Sequence, residues 1–286
     1  LDIAERRLPQ DGRLRLHTPD GEAVDFRVSV CPTLHGEKLV LRLLDTAQAA
    51  LCPTQLGFSQ DQLEHYQAAI ERPHGMVLVT GPTGSGKTVT LYSALQQLNT
   101  EPRNVLTVED PVEINLPGVN QISTNPRIGF DFPQALRAFL RQDPDVIMVG
   151  EIRDRETAEI AIKAAQTGHL VLSTLHTNDA PSAVTRLLNM GIPAWNIAAS
   201  ISLIVAQRLV RRLCPGCRRP LTLSRRAAEA AGLPAAATMQ DPITVYEPVG
   251  CSRCIEGYSG RIGIHEVLPI DASLADQIVK GASTAD

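Results

Sequence analysis

From residue 58 onward the chain alternates short apolar runs with segments of helical period. Met76-Val77-Leu78-Val79 and residues 146–149 are apolar at every position, as strands buried on both faces require. Residues 105–108 and 170–173 read as strands too, apolar except for Thr107 and Ser173. Helical spacing appears at 89–98, 134–141 and 155–166. In the last of these, Ala158, Ala161, Ile162 and Ala165 share one face and Gly168 stops the helix. Strands alternating with helices predict an α/β class, with a mostly parallel sheet covered on both sides. Residues 13–44 follow a period of two instead. Val24, Phe26, Val28 and Val30 alternate with Asp25, Arg27 and Ser29, a second run follows at 39–44, and Pro32 and Gly36 mark the turn between them. A small β-rich unit therefore precedes the α/β core, and the weakly patterned stretch 47–57 reads as a linker.

The junction after Val79 carries the strongest chemical signal. Gly81-Pro82-Thr83-Gly84-Ser85-Gly86-Lys87-Thr88 is a phosphate loop, placed between a strand and a helix as its mechanism requires. Glycines let successive backbone N–H groups approach the β- and γ-phosphates, and the helix start aims its dipole at the same anions. Lys87 supplies a point cation, and Thr88 offers a hydroxyl to a magnesium ion.

Polar residues gather at the carboxyl ends of the strands, where open parallel sheets bind ligands. Glu109-Asp110-Pro111-Val112-Glu113 follows the 105–108 strand, and Gly150-Glu151-Ile152-Arg153-Asp154 follows the 146–149 strand. His169 and His176 flank the 170–173 strand at its two ends. Triphosphate hydrolysis needs one carboxylate for the metal shell and another to orient or deprotonate water. Glu151, either of Glu109 and Glu113, and His176 are the candidates, whereas Asp154 also suits a helix N-cap.

Four of six cysteines form two C-x-x-C pairs, Cys214/Cys217 and Cys251/Cys254, which supply the four thiolates of a tetrahedral zinc site. Cys31 and Cys52 have no partner at ligand spacing and are expected to be buried small hydrophobes. Charge narrows the function classes. With 27 basic and 31 acidic residues and 3% aromatics, neither a basic surface nor a stacking platform for nucleic acid is evident. The stretch 208–219 is the one basic patch. No apolar run reaches the ~18 residues of a membrane span. The chain opens at Leu1 in mid-pattern and reads as a fragment.

Four segments in order resemble the secretion ATPases of bacterial type II secretion and type IV pilus systems. Residues 81–88 match that family's Walker A, 107–113 (Thr-Val-Glu-Asp-Pro-Val-Glu) its aspartate box, 146–154 its Walker B, and 167–177 its histidine box. The tetracysteine element resembles the assembly and secretion ATPases and not the pilus-retraction ATPases, while the wording of 138–145, 178–181 and 189–196 resembles the pilus extension enzymes, with the type II secretion ATPases as the alternative. A nucleic-acid motor and a non-catalytic adaptor fit less well.

The resemblance implies a RecA-like ATPase core over 58–205, preceded over 1–46 by the last part of a small PAS-like β domain. Residues 206–286 are expected to form a mainly helical region carrying the zinc element. It implies ATP, Mg2+ and Zn2+ as cofactors, a homo-hexamer, and an inner-membrane platform protein as partner. No nucleic acid is expected, and the location is cytoplasmic and peripheral to the membrane. It further implies that ATP sits between the core of one subunit and the β domain of its neighbour, with Arg13 and Arg27 as arginine fingers.

Overall fold

The structure is a computed structural model that describes residues 1–18, 20–21, 23–44, 52–233 and 242–281. Three antiparallel strands open the chain: β1 (Gln10–His17), β2 (Ala23–Thr33) and β3 (Gly36–Leu44). Their alternation puts Leu14, Phe26 and Leu43 in register on one face and Arg13, Arg27 and Arg42 on the other. Of the stretch read as a linker, 47–51 lie outside the described residues, and Pro53–Gln55 form a 3-10 turn.

The core continues through α1 (Gln60–Ile70), β4 (Gly75–Thr80), α2 (Lys87–Leu98), β5 (Val105–Glu109), β6 (Asn120–Ser123), α3 (Phe132–Phe139) and β7 (Val146–Val149). It goes on with α4 (Arg155–Gln166), β8 (Leu170–Leu175), α5 (Ala180–Asn189), α6 (Ala194–Ser200) and β9 (Ile201–Leu213). Last come β10 (Arg219–Leu223), α7 (Arg225–Ala230), β11 (Ile243–Glu247), β12 (Tyr258–Pro269) and α8 (Ala272–Lys280). One seven-stranded sheet runs in the order β12-β9-β4-β8-β7-β5-β6. Every neighbouring pair is parallel except β12 with β9.

Strands β4, β5, β7 and β8 are buried along their whole length because helices cover both faces of the sheet. On one side Leu91, Leu95 and Leu98 of α2 pack with Tyr66 and Ile70 of α1 over Val77 and Val79. On the other, Leu136, Phe139, Ala158, Ile162 and Leu187 pack over Leu78, Ile147 and Val171. Side-chain caps set the starts of α3, α4 and α5, where Asp131, Asp154 and Asp179 accept from backbone N–H groups of the first turn.

The carboxy-terminal region departs from the expected mainly helical character. Among its described residues, the outer half of β9 with β10, β11 and β12 supplies more residues than α7 and α8. Alternating β-branched residues at 243–247 and 262–267 find partners there: β11 pairs with β10, and β12 with β9 over its length. Cys31 and Cys52 are exposed, not buried, since each lies outside the packed core.

Candidate active site

Strand β4 ends at Thr80, and the chain turns through Gly81, Gly84 and Gly86, all at positive φ, before Lys87 opens α2. Gln207 of β9 fixes this turn from the side. Its Nε2 donates to the Ser85 carbonyl at 2.7 Å, while its Oε1 accepts from the Thr90 hydroxyl at 2.8 Å. Lys87 is 9% exposed, and its ammonium donates to the carbonyls of Gly81 at 2.8 Å and Pro82 at 3.2 Å. Burial lowers its pKa, and the negative charge of Glu151 opposes that shift.

The loop opens onto a cleft of about 1100 Å³ at the carboxyl edge of the sheet. Thr83 to Thr88, Glu109, Glu113, Glu151 and His176 all line it. Glu151 follows β7 and is held from two sides: Arg153 donates to Oε1, and His176 Nε2 lies 3.4 Å from Oε2. Asp110 stands 3.8 Å from the same guanidinium. Backbone geometry sets this grouping, since Glu109, Glu151 and His176 follow directly from three adjacent parallel strands.

The two glutamates of the 107–113 segment differ in kind. Glu109 is 4% exposed; its carboxylate accepts from Tyr92, from Thr107 at 2.8 Å and from Gln121 at 3.2 Å. Burial pushes its pKa up, and these three donors pull against that. Glu113 is exposed on the cleft. His169 sits before β8, at the far end of the strand from the cleft, bonded to the Ala164 carbonyl at 3.0 Å.

Arg27 and Arg42 line this cleft within the same chain. Arg13 lines an adjoining cavity of about 870 Å³ together with Arg27, Asp110 and Pro111. Arginines of the β sheet and the phosphate loop thus line one cleft within a single chain. Sequence reasoning passed over Tyr92, Arg42, Arg153, Gln207 and Arg261 at this site. Arg153 could have been found, being two residues from Glu151 in the same segment. Tyr92 and Gln207 had no local signal, because their partners lie far along the chain.

Directly after β9, and from the loop before β12, Cys214, Cys217, Cys251 and Cys254 bring their sulfurs within 4.8 Å of one another. Separations of 3.9 Å (Cys214–Cys251), 3.7 Å (Cys217–Cys254) and 3.6 Å (Cys251–Cys254) exclude disulfides, whose sulfurs stand about 2.0 Å apart. A tetrahedral metal with bonds of about 2.3 Å would space its sulfurs about 3.8 Å apart. The cluster fits a tetrathiolate metal ion. A backbone N–H from Arg253 lowers the Cys251 thiol to about 7, whereas burial pushes Cys217 up to about 11.

Fold and site together define a P-loop nucleotide-binding core with a β-sheet cap and a tetracysteine appendage. The chain belongs to the family described as Type II/IV secretion system protein, which it matches over residues 1–286. It is 58% identical over 271 residues to the Type IV pilus assembly ATPase PilB of Pseudomonas aeruginosa, covering 94% of this chain and 47% of that one. With the Type II secretion system ATPase E of Vibrio cholerae it shares 50% identity over 279 residues, 97% of this chain and 54% of the other. The chain spans about half the length of the curated relatives it matches. Among solved structures, the pilus retraction motor PilT with bound ADP superposes with a TM-score of 0.67 at 28% identity, covering 96% of this chain and 67% of that one.

Proposed function

We propose that this chain is the ATP-hydrolysing engine of a type IV pilus assembly ATPase. The observation that carries the reading is the convergence of Lys87, Thr88, Glu113, Glu151 and His176 on one cleft, in a chain 54–58% identical to three PilB proteins. Lys87 exchanges its two carbonyl partners for phosphate oxygens. Backbone N–H groups of the loop and the start of α2 neutralise the remainder. Thr88 holds Mg2+ through its hydroxyl, and that ion supplies Lewis-acid stabilisation of the triphosphate.

Glu151 orients and deprotonates the attacking water, assisted by a second carboxylate from the acidic loop after β5. His176, beside Glu151, senses the γ-phosphate. Arg27, with Arg13 behind it, spreads donors over charge developing on the transferred group. Zn2+ at the four cysteines is structural, since four thiolates leave no open coordination position. The working unit is a homo-hexamer that acts on an inner-membrane platform protein from the cytoplasmic side. No helix among the described residues is long and apolar enough to cross a membrane.

A type II secretion ATPase is the second reading, carried by identities of 50–51% to three proteins of that system. Turnover of ATP by the wild-type chain, set against Glu151→Gln, tests the chemistry. An inactive wild type, or a Glu151→Gln variant at the normal rate, refutes it. Restoration of pili in cells lacking the assembly ATPase, by the full-length protein, separates the two machines.

A further inference from the structure

Tyr92 lies one turn beyond Thr88 on α2, is fully buried, and makes three hydrogen bonds with one phenol oxygen. It donates to Glu109 Oε2 and accepts from the backbone N–H groups of Glu113 at 3.3 Å and Ile114 at 3.4 Å. A phenol offers one donor and two acceptor sites, so its capacity is filled. Glu109 is equally committed. Its second oxygen accepts from Thr107 and from Gln121, whose side chain also bonds Ile114 and Leu116 of the same loop. Val112 is tied to the Ser123 hydroxyl at 3.1 Å.

The acidic loop after β5 thus hangs from a buried polar network that reaches the first turns of the phosphate-binding helix through the Tyr92 hydroxyl, while Asn99 at the far end of that helix bonds the Pro117 carbonyl at 2.8 Å. We propose that Tyr92 and Glu109 form a positioning clamp that fixes the acidic loop relative to the phosphate loop. Glu113, not Glu109, is then the carboxylate of this segment that faces the γ-phosphate. The inference rests on the hydrolase reading above and adds to it how the second carboxylate is placed.

Glu109 cannot serve water directly while its oxygens face three protein donors under 4% exposure. Releasing it would strand the Tyr92 hydroxyl and the Thr107 hydroxyl in the core, which costs more than breaking a surface contact. Glu113 has no such commitment, and its backbone N–H is what the phenol holds. A shift in the loop of about 1 Å is enough to lower turnover by as much as about a hundredfold without loss of nucleotide affinity.

Three variants of the chain, Tyr92→Phe, Glu109→Gln and Glu113→Gln, test the clamp in parallel with wild type. Tyr92→Phe is expected to lower kcat about tenfold or more while KM for ATP stays within about threefold. Glu113→Gln is expected to lower kcat about a hundredfold, and Glu109→Gln, whose amide still accepts from Tyr92, no more than about tenfold. Amide exchange at Glu113 and Ile114 gives a readout independent of turnover: slow in wild type, faster in Tyr92→Phe. Wild-type kinetics and unchanged exchange in Tyr92→Phe would overturn the clamp. So would a Glu109→Gln variant less active than Glu113→Gln while its thermal midpoint is retained. A wild type that binds but never hydrolyses ATP would sink the hydrolase reading alone, because the exchange comparison still decides whether Tyr92 holds the loop.

Discussion

Two glycines of the phosphate loop predict very different costs for the same substitution. Gly81 and Gly84 both sit at positive φ, +143° and +78°. An alanine at Gly84 meets nothing within 4 Å, so its cost is conformational, about 1–2 kcal/mol. At Gly81 the added Cβ would lie 2.3 Å from the Gln207 carbonyl oxygen and 2.7 Å from Ser85 Oγ. That carbonyl belongs to β9, which pairs with β4 immediately beforehand at Thr80 and Ala206. It cannot retreat by about 1 Å without loosening the β4–β9 pairing. Overpacking of roughly 1–3 kcal/mol and a weakened hydrogen bond of roughly 1 kcal/mol add to the backbone strain. Gly81→Ala should therefore cost about 3–6 kcal/mol.

At about 2–4 °C per kcal/mol, Gly84→Ala lowers the melting temperature by about 2–8 °C and Gly81→Ala by about 6–24 °C. Thermal unfolding followed by circular dichroism, nucleotide-free and at one protein concentration, measures both. Equal shifts, or a larger one at Gly84, would refute the claim that β9 backs the loop so closely.

Lys87→Ala removes charge-assisted hydrogen bonds of roughly 1.5–3 kcal/mol, so ATP should bind at least about tenfold more weakly in a fluorescent-nucleotide competition. His265 stacks on Phe58 at 3.9 Å, and a backbone hydrogen bond with Gly57 only partly offsets the burial of its ring. Burial lowers its pKa to about 4, so between pH ~6.5 and ~4 the unfolded chain takes up a proton that the native ring refuses. Stability falls as pH drops through that window, by about 1–2 kcal/mol given the ring's partial contact with water, and His265→Phe should flatten the fall in urea titrations. Chelating the metal proposed at the four cysteines should expose the segments 214–217 and 251–254 to protease while leaving ATP affinity unchanged, and retained protection there would count against a metal staple.

Legibility of the fold tracked how local the physics was. Strand, loop and helix around Lys87 lie within about twenty-five residues, and each carries its own signal, so the nucleotide core was readable in advance. The strands β4 and β7 announce themselves by unbroken apolar runs, 76–79 and 146–149, because both faces are covered. β9 does not, since its second half leaves the core and its partner β12 begins 45 residues after it ends. Its exposed arginines read as a basic patch, not as a strand, and nothing local in the sequence signals the β pairing. Tyr92 reads locally as one more apolar position on an amphipathic helix. Its role depends on Glu109 and Glu113, which the crossover from α2 through β5 brings beneath it.

The charges of the cleft divide by how freely they can change partners. Glu151 is paired with Arg153, whose side chain is 62% exposed, and with His176, which is 51% exposed. The partners' ends of these contacts are open to solvent, so on the hydrolase reading proposed above Arg153 and His176 can turn to an incoming triphosphate and release the carboxylate to water. Lys87 is bound only to carbonyls, which a phosphate outcompetes. The Tyr92–Glu109 pair is buried, and separating it would leave unsatisfied groups in the core. The groups that must move during a cycle are therefore held at the rim, and those that must stay are held beneath the sheet edge. On the reading proposed above, such a division would let the loop carrying Glu113 remain in register with Lys87 while Glu151 alternates between Arg153, His176 and water.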